Sequence, residues 1–566
     1  MKKVLLFFLF LINFNKTYSQ CPGTGYSSGD LITCTTSYLG GDGIDAGTSI
    51  KILGNGDVVI AGTFNAIPSA TNSYNYLAAT NTSKGMVLVF NPTGTTLKSA
   101  IRLGDSVDDI DVNRTTNEIY VYGNFGLVKL NASGSSLLWS KTTAPIGTVV
   151  SAGIYSSGKR VAVANNGDVV ILGNSGTAAA CNGFAYFFDA AGNPISTGNF
   201  TMPRTDIGGG TYNEKWEDIA IDSSSKQIFV TGMAQRCSAY QSSFLLSYSY
   251  NSANFGTKLW QSFTLWCSGA TTYSLTADAR GKRVEFKNGE LLFVGHSDGG
   301  NNLFTKTVND YTTNEPNLIT IDRWNNGAGF GSGKVGYFAR INPTTGLVIK
   351  SQFQFSSTGV NQAKSYEILG ITSRNTGEIL IGGISNKDMP DRALLKINGT
   401  NVGARVDDES SFIGVSSGLN TRNWVATYTA AAATSKIVAL DSHNGSIALL
   451  GECEGNIMTA NAIDNSKGTS TDVFFSVFGN NTLSIDEITE NPSFSIYPNP
   501  SNGIFYIDVK EPQDAEIQIF SLVGKLLYEK KFETTNIIPI EFYQKGLYLI
   551  NIKSDKMNTT SKIIIQ

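Results

Sequence analysis

A five-residue apolar run ending in glycine recurs seven times along the chain. The first is Val58-Val59-Ile60-Ala61-Gly62, and the others end at Gly123, Gly173, Gly232, Gly295, Gly383 and Gly451. Each follows a polar turn and a weaker alternating segment, as in Ser49-Ile50-Lys51-Ile52-Leu53 before Gly54-Asn55-Gly56-Asp57. Runs this short and apolar at every position read as strands buried on both faces. The pairs Asn166-Gly167, Asn288-Gly289 and Asn444-Gly445 supply the positive φ angles that tight hairpins need. A third apolar segment usually follows the glycine, such as Met86 to Phe90 with the turn Asn91-Pro92-Thr93-Gly94, and a fourth, such as Leu97 to Leu103, closes the unit.

In an antiparallel protein, a strand apolar on both faces requires a sheet on each side. Seven four-stranded units stacked in series predict a seven-bladed β-propeller. The seventh unit lacks an outer strand after Val473 to Phe478. Ile32 to Leu39, followed by Gly40-Gly41-Asp42, matches Leu97 to Leu103 followed by Gly104-Asp105. The N-terminal strand is therefore expected to complete the last blade and remove its free edge. The predicted fold class is all-β: a seven-bladed propeller over residues 20–480, then a small β-sandwich. A string of β-sandwich modules is the alternative. Leu39-Gly40-Gly41-Asp42-Gly43-Ile44-Asp45-Ala46, continued through Gly62, resembles the bacterial β-propeller repeats often called SBBP repeats, and Gly104-Asp105 to Gly123 is a second copy. That resemblance loosely covers residues 30–480 and implies fold more than activity.

Composition changes near residue 480. Residues 481–491 form a linker containing the acidic stretch Ser484 to Glu490, and residues 492–566 are richer in Lys, Ile and Pro. Seven short segments bounded by turn signals predict the small sandwich, with alternation at Ile517 and Ile519 marking a single buried face. This region closely resembles the type A C-terminal sorting domain of the type IX secretion system of Bacteroidetes. The matching residues are Tyr497-Pro498-Asn499-Pro500-Ser501-Asn502-Gly503, Ile519 to Lys525 with Gly524, Gly546 to Ile550, and the terminal Lys562-Ile563-Ile564-Ile565. The resemblance implies the type IX machinery as a partner. It also implies outer-membrane translocation, followed by release or attachment at the cell surface.

The N-terminus agrees with export. Lys2 and Lys3 precede the apolar run Val4 to Ile12, and Thr17 and Ser19 are small residues two apart before Gln20. Residues 1–19 thus read as a signal peptide cleaved after Ser19. No later stretch is long and apolar enough for a transmembrane helix. Only 16% of residues are charged, 59 are Gly, and the net charge is −3 with no basic cluster, so the footprint of a nucleic-acid binder is absent. The six cysteines suit an oxidising compartment. Cys34–Cys453 would tie the closing strand to the blade it completes, and Cys237–Cys267 would lie within the fourth blade, with Cys21 and Cys181 left open.

Candidate chemistry is sparse. His296 and His443 are the only histidines, and His443 sits in a predicted hairpin. No G-x-S-x-G or HExxH motif appears. Gly327 to Lys334 fails as a phosphate loop at Ala328 and Val335. Asp105, Asp108, Asp109 and Asp111 crowd one turn and are candidate ligands for Ca²⁺, the one cofactor suggested. The longest interval between the repeated glycines, Gly295 to Gly383, holds Phe304, Tyr311, Trp324 and Phe330 among Asn, Asp and Gly. Such rings can stack on a sugar or anchor a protein. The expected function is a secreted or cell-surface binding or adhesion module for glycan or protein ligands. A polysaccharide hydrolase and a structural surface-layer protein are the alternatives.

Overall fold

The computed structural model describes residues 30–31, 33–141, 159–177, 180–201, 214–236, 240–264, 278–298, 303–308, 310–319, 334–354, 356–357, 363–385, 396–397, 400–401, 409–428, 434–457, 459–478, 494–521, 525–553 and 558–566. The chain is all-β and divides into two compact units, Met1–Thr482 and Leu483–Gln566.

Among the described residues, the first unit contains seven sheets built on four antiparallel strands, the first sheet gaining a fifth strand, Asn72–Asn75, in parallel pairing with Leu97–Gly104. Their leading strands are Ala46–Ile52, Val107–Asn113, Arg160–Val163, Glu214–Asp222, Ala279–Lys287, Tyr366–Ser373 and Ser435–His443. The second strand of each sheet carries one of the seven apolar runs. Val58–Thr63, for example, is buried at every position but its last. The reason lies in the packing, since apolar clusters sit between consecutive sheets. Val59 and Val87 of the first meet Ile110 and Val121 of the second, and Tyr120 and Tyr122 of the second meet Val169 and Ile171 of the third. The series returns on itself, because Ile50, Val58 and Leu88 pack against Leu450, Val473 and Phe475 of the seventh sheet. Each leading strand contacts the next in order, and the last contacts the first.

The seventh sheet is made from both ends of this unit. Thr35–Leu39 pairs antiparallel with Asp472–Phe478, with Leu39 opposite Val473 and Thr35 opposite Val477. Thr36 Oγ1 and Ser476 Oγ, 440 positions apart in sequence, lie 2.6 Å from each other.

This register corrects one expected disulfide. Cys34 lies beyond the Phe478 end of the Asp472–Phe478 strand, whereas Cys453 pairs with Asp472 at the other end. A strand rises about 3.3 Å per residue, so the two cysteines stand far outside the roughly 7 Å Cα separation a bridge tolerates. Cys453 is a free, buried thiol, its pKa raised by burial to about 12. Cys34 is disulfide-bonded, to a partner other than Cys453. Cys237 and Cys267 lie outside the described residues, as does Cys21.

The repeated glycine has a steric cause. In six sheets the leading strand carries a β-bulge, and the glycine pairs with the residue just before it: Gly62 with Gly47, Gly123 with Val107, Gly232 with Trp216, Gly295 with Gly281, Gly383 with Ile368 and Gly451 with Ile437. The bulge swings a leading-strand carbonyl toward the glycine. A Cβ on Gly383 would sit 1.8 Å from the Glu367 carbonyl oxygen, and one on Gly232 would sit 2.0 Å from that of Lys215.

In the second unit the expected short segments merge into five strands. Phe494–Tyr497, Ile504–Ser521, Gly546–Lys553 and Asn558–Ile565 follow one another across the sheet, and Leu526–Glu541 also pairs with Ile504–Ser521. Both halves of the two long strands face one core. Phe505, Ile507, Ile538 and Ile540 come from one half, and Ile517 and Ile519 from the other, beside Ile550, Ile552 and Ile563.

Candidate functional site

The bulges aim the leading strands' side chains at a cavity of about 570 Å³ lined by all seven of those strands. Register defines two layers. The first residue after each bulge pairs with the residue preceding the repeated glycine, and Arg160 holds the same place in the third sheet. From the first sheet to the seventh, this layer reads Ser49, Asp109, Arg160, Asp218, Arg283, Gly370, Ala439. Two residues further on, the second layer reads Lys51, Asp111, Ala162, Ala220, Glu285, Thr372, Asp441.

The charges are bound to one another and to backbone. Arg160 lies 3.9 Å from Asp109 and 3.6 Å from Asp218. Asp109 also accepts from the Val161 N–H at 3.1 Å, and Asp218 from the Val284 N–H at 3.0 Å, so each aspartate fastens its own sheet to the next. In the second layer Asp111 pairs with Lys51 at 3.2 Å and accepts from the Val163 N–H at 2.8 Å. Asp441 accepts from the Ile52 N–H at 2.7 Å and pairs with Arg114 at 2.6 Å and Lys287 at 3.5 Å. Burial would raise the Asp441 pKa, but the cations Arg114 and Lys287 outweigh it and hold the carboxyl far below the usual range. Glu285 Oε1 accepts from Thr372 at 2.9 Å, its Oε2 has no hydrogen-bond partner, and burial pushes its pKa up.

Asp109 and Asp111 thus belong to this lattice, Asp108 pairs with Lys159 at 3.2 Å, and Asp105 is exposed. Among the described residues no group of three or more His, Cys, Asp or Glu side chains is gathered as a metal site. Phe304 is not a surface platform. It is 1% exposed and stacks on Tyr337 with centroids 4.4 Å apart, between Phe263 and Phe293. Tyr311 lies in the strand Asp310–Asn314, while Trp324 and Phe330 lie outside the described residues. His296 is buried, its Nε2 3.0 Å from the Ile368 carbonyl and its Nδ1 3.4 Å from Glu367, and burial lowers its pKa. Arg160, Asp218, Arg283, Glu285 and Asp441 were not among the expected site residues. Their signal is the alternation of charged and apolar positions in leading strands such as Arg283-Val284-Glu285-Phe286-Lys287.

The second unit explains its own motif. Asn499 Nδ2 donates to the Lys562 carbonyl at 2.8 Å and its Oδ1 accepts from the Ile564 N–H at 3.0 Å. Ser501 N–H donates to the Ile564 carbonyl, and Gln566 N–H to that of Ser501. The Tyr-Pro-Asn-Pro-Ser segment is thereby clamped onto the final strand. Pro498 and Pro500 both follow cis peptide bonds. Gly503 adopts a φ of +109° against Tyr543, where a Cβ would lie 2.3 Å from the ring. Gly546 opens its strand at a φ of +149°, and Gly524 lies outside the described residues.

These features define an exported all-β protein with a separate terminal targeting unit. Residues 495–566 match the family model described as a secretion system C-terminal sorting domain. This domain is the type IX secretion signal, and it directs the protein to the cell surface or outer membrane. No curated protein matches the chain. Among solved structures it is similar to a chain of Kuenenia stuttgartiensis hydrazine synthase at 13% identity and a TM-score of 0.29, over 48% of this chain and 80% of that one. That likeness is too loose to carry a shared fold or activity. No helix among the described residues is long and apolar enough to cross a membrane.

Proposed function

We propose that residues 20–480 form a seven-bladed β-propeller that serves at the cell surface as a non-enzymatic binding module for glycan or protein ligands. Residues 1–19 are its export signal, and the domain from about residue 492 is its sorting signal. Support for the propeller comes from the serial packing of seven sheets and from Thr35–Leu39 completing the seventh. One observation carries the binding role: the cavity has a rigid polar lining whose aspartates are already engaged. Asp109, Asp111 and Asp218 are held by cations and backbone amides and Asp222 by Ser224 and Ser225, while Glu285 keeps one oxygen without a partner and His443 is the histidine of the lining. Catalysis by proton transfer needs a group free to take and release protons, a role that four of the five lining carboxylates are not free to fill. Trp324 and Phe330, in the long interval between Gly295 and Gly383, remain ligand candidates. The test is a glycan and protein array probed with the purified mature chain, alongside a turnover assay on every ligand that binds. Retention without cleavage is expected, and release of hydrolysis products would overturn the reading.

A further inference from the structure

The first layer of the cavity alternates in charge through four sheets and then stops. Asp109, Arg160, Asp218 and Arg283 follow in order, and the next position is Gly370, which has no side chain. In the second and fourth sheets the aspartate at this layer accepts the inward N–H of the following sheet, at Val161 and Val284. The sixth sheet should do the same for the seventh, where Leu440 is the residue equivalent to Val161 and Val284. A Cβ built on Gly370 would lie 3.3 Å from the Leu440 nitrogen, so a side chain there would reach that amide. Gly370 offers no acceptor.

Arg283 is the cation left over by this gap. Its Nε donates to the Leu369 carbonyl at 2.8 Å and its Nη1 to the Lys282 carbonyl at 2.9 Å, which holds the guanidinium beside Gly370. Among the described residues no carboxylate lies within ion-pair distance of it, although Arg160, its counterpart two sheets away, has two. Burial and the neighbouring Arg160 both act against its charge, while Asp218, Glu217 and Asp109 act in its favour. A guanidinium does not shed its proton, so it keeps an unmet need for an anion.

Resting on the binding role proposed above, we infer that the cavity takes a small hydroxylated carboxylate, such as a sugar acid, whose carboxylate fills the place of the missing aspartate between Arg283 and Gly370. Planar, two-pronged recognition of carboxylate is what a guanidinium does best. The cavity's volume falls within the roughly 300–1,000 Å³ typical of small-molecule sites. Beyond the carboxylate, the walls offer the small apolar faces of Ala162, Ala220 and Ile371, and the amides of Asn165, Asn288 and Asn375 lie nearby for hydroxyl groups.

The experiment is calorimetric titration of the mature chain with D-glucuronate, a uronate oligomer and neutral glucose, on wild type, Arg283→Gln and Gly370→Asp. Wild type should bind glucuronate and not glucose. Arg283→Gln should weaken binding at least tenfold. Gly370→Asp should abolish it while raising the melting temperature, because the new carboxylate supplies from within what the ligand supplies from outside. Binding of the oligomer as well as the monomer would assign the site to a chain end, and binding of the monomer alone to the free acid. If one variant does not fold, the other decides. No glucuronate binding by wild type, or equal binding by all three proteins, overturns the inference. Array ligands retained elsewhere would then leave the broader binding role standing, whereas turnover of a glycan would overturn that role itself.

Discussion

The two units use the same secondary structure to build opposite interiors. The C-terminal unit has a dry core of isoleucines with Phe505 and Tyr548, and it is closed by strands that bury one face and leave Tyr497, Tyr506, Leu547 and Ile564 exposed on the other. In the seven-sheet unit the second strands are apolar on both faces, yet the innermost strands meet around charged side chains. Stacking sheets in series explains both properties. A sheet between two others has no solvent face, while the leading strands line a cavity where no neighbouring sheet covers them. Their exposed amides and side chains then need polar partners, which the alternating Asp and Arg residues provide.

Three perturbations would break or sharpen this contrast. The largest effect belongs to export. Removing residues 490–566 should abolish delivery to the surface and strand the remainder in the periplasm. The seven-sheet unit should keep its circular dichroism spectrum and melting curve, since its last sheet closes by residue 478. Fractionation showing the truncated chain at the cell surface would contradict the assignment.

Next comes the difference between the polar axis and the dry core. Asp441→Asn leaves Arg114 and Lys287 without their carboxylate and should cost about 3–5 kcal/mol. Ile550→Ala should cost about 2–5 kcal/mol by opening a cavity. Hydrogen exchange should separate the two: the first substitution speeds exchange in the leading strands around Ile52 and Arg114, and the second speeds it only within residues 494–566. Because the Asp441 pKa is depressed on folding, its contribution is fully present above the unfolded value of about 3.9 and disappears only as pH falls through the lower folded value. Wild type should therefore keep its advantage over the Asn variant at pH 5, and an advantage already lost at pH 5 would mean that Asp441 is not an ion-paired anchor.

The smallest effect separates close approach from backbone strain. Gly383→Ala drives a methyl into the Glu367 carbonyl and should cost about 3 kcal/mol or more. Gly289→Ala meets nothing within 4 Å and has only its φ of +77° to overcome, which should cost about 1–2 kcal/mol. Gly383 has no positive φ of its own, so a loss at Gly383 no larger than that at Gly289 in urea denaturation would show that the bulged carbonyl gives way to a methyl and does not require the repeated glycine.

What could be read from the sequence follows from which interactions are local. Val58-Val59-Ile60-Ala61-Gly62 and its six counterparts announce doubly buried strands because burial is written residue by residue, and the Asn-Gly hairpins announce their turns in the same way. The completion of the seventh sheet by Thr35–Leu39 was legible because that segment copies the outer strand of the first unit. The bulges were not, since an inserted residue such as Asp108 or Lys282 has no side-chain signature and is defined only by its partner strand. Without them Asp109 and Asp111 look like a crowded acidic turn, and Arg283 looks like surface charge. The Cys34–Cys453 pairing failed for a related reason: two residues near one strand were placed together before its direction had put them at opposite ends. Phe304 misled because a ring among Asn and Gly residues looks exposed until the strand carrying Tyr337 is laid across it.

The strand Thr35–Leu39 also sets an order of events. Among the described residues of the seven-sheet unit it is the first strand to leave the ribosome, apart from the two residues at Asp30–Leu31, and it pairs with the last, so its place does not exist until everything between has emerged. Contacts of such long sequence separation form slowly, because the chain must meet the loop entropy before any pairing rewards it. Until then Asp472–Phe478, apolar at nearly every position, stands as an open sheet edge of the kind that recruits other chains. The vulnerable moment for this protein is therefore the interval after its sixth sheet has formed, when a periplasmic chaperone or a competing strand from a second copy could occupy the edge reserved for its own beginning.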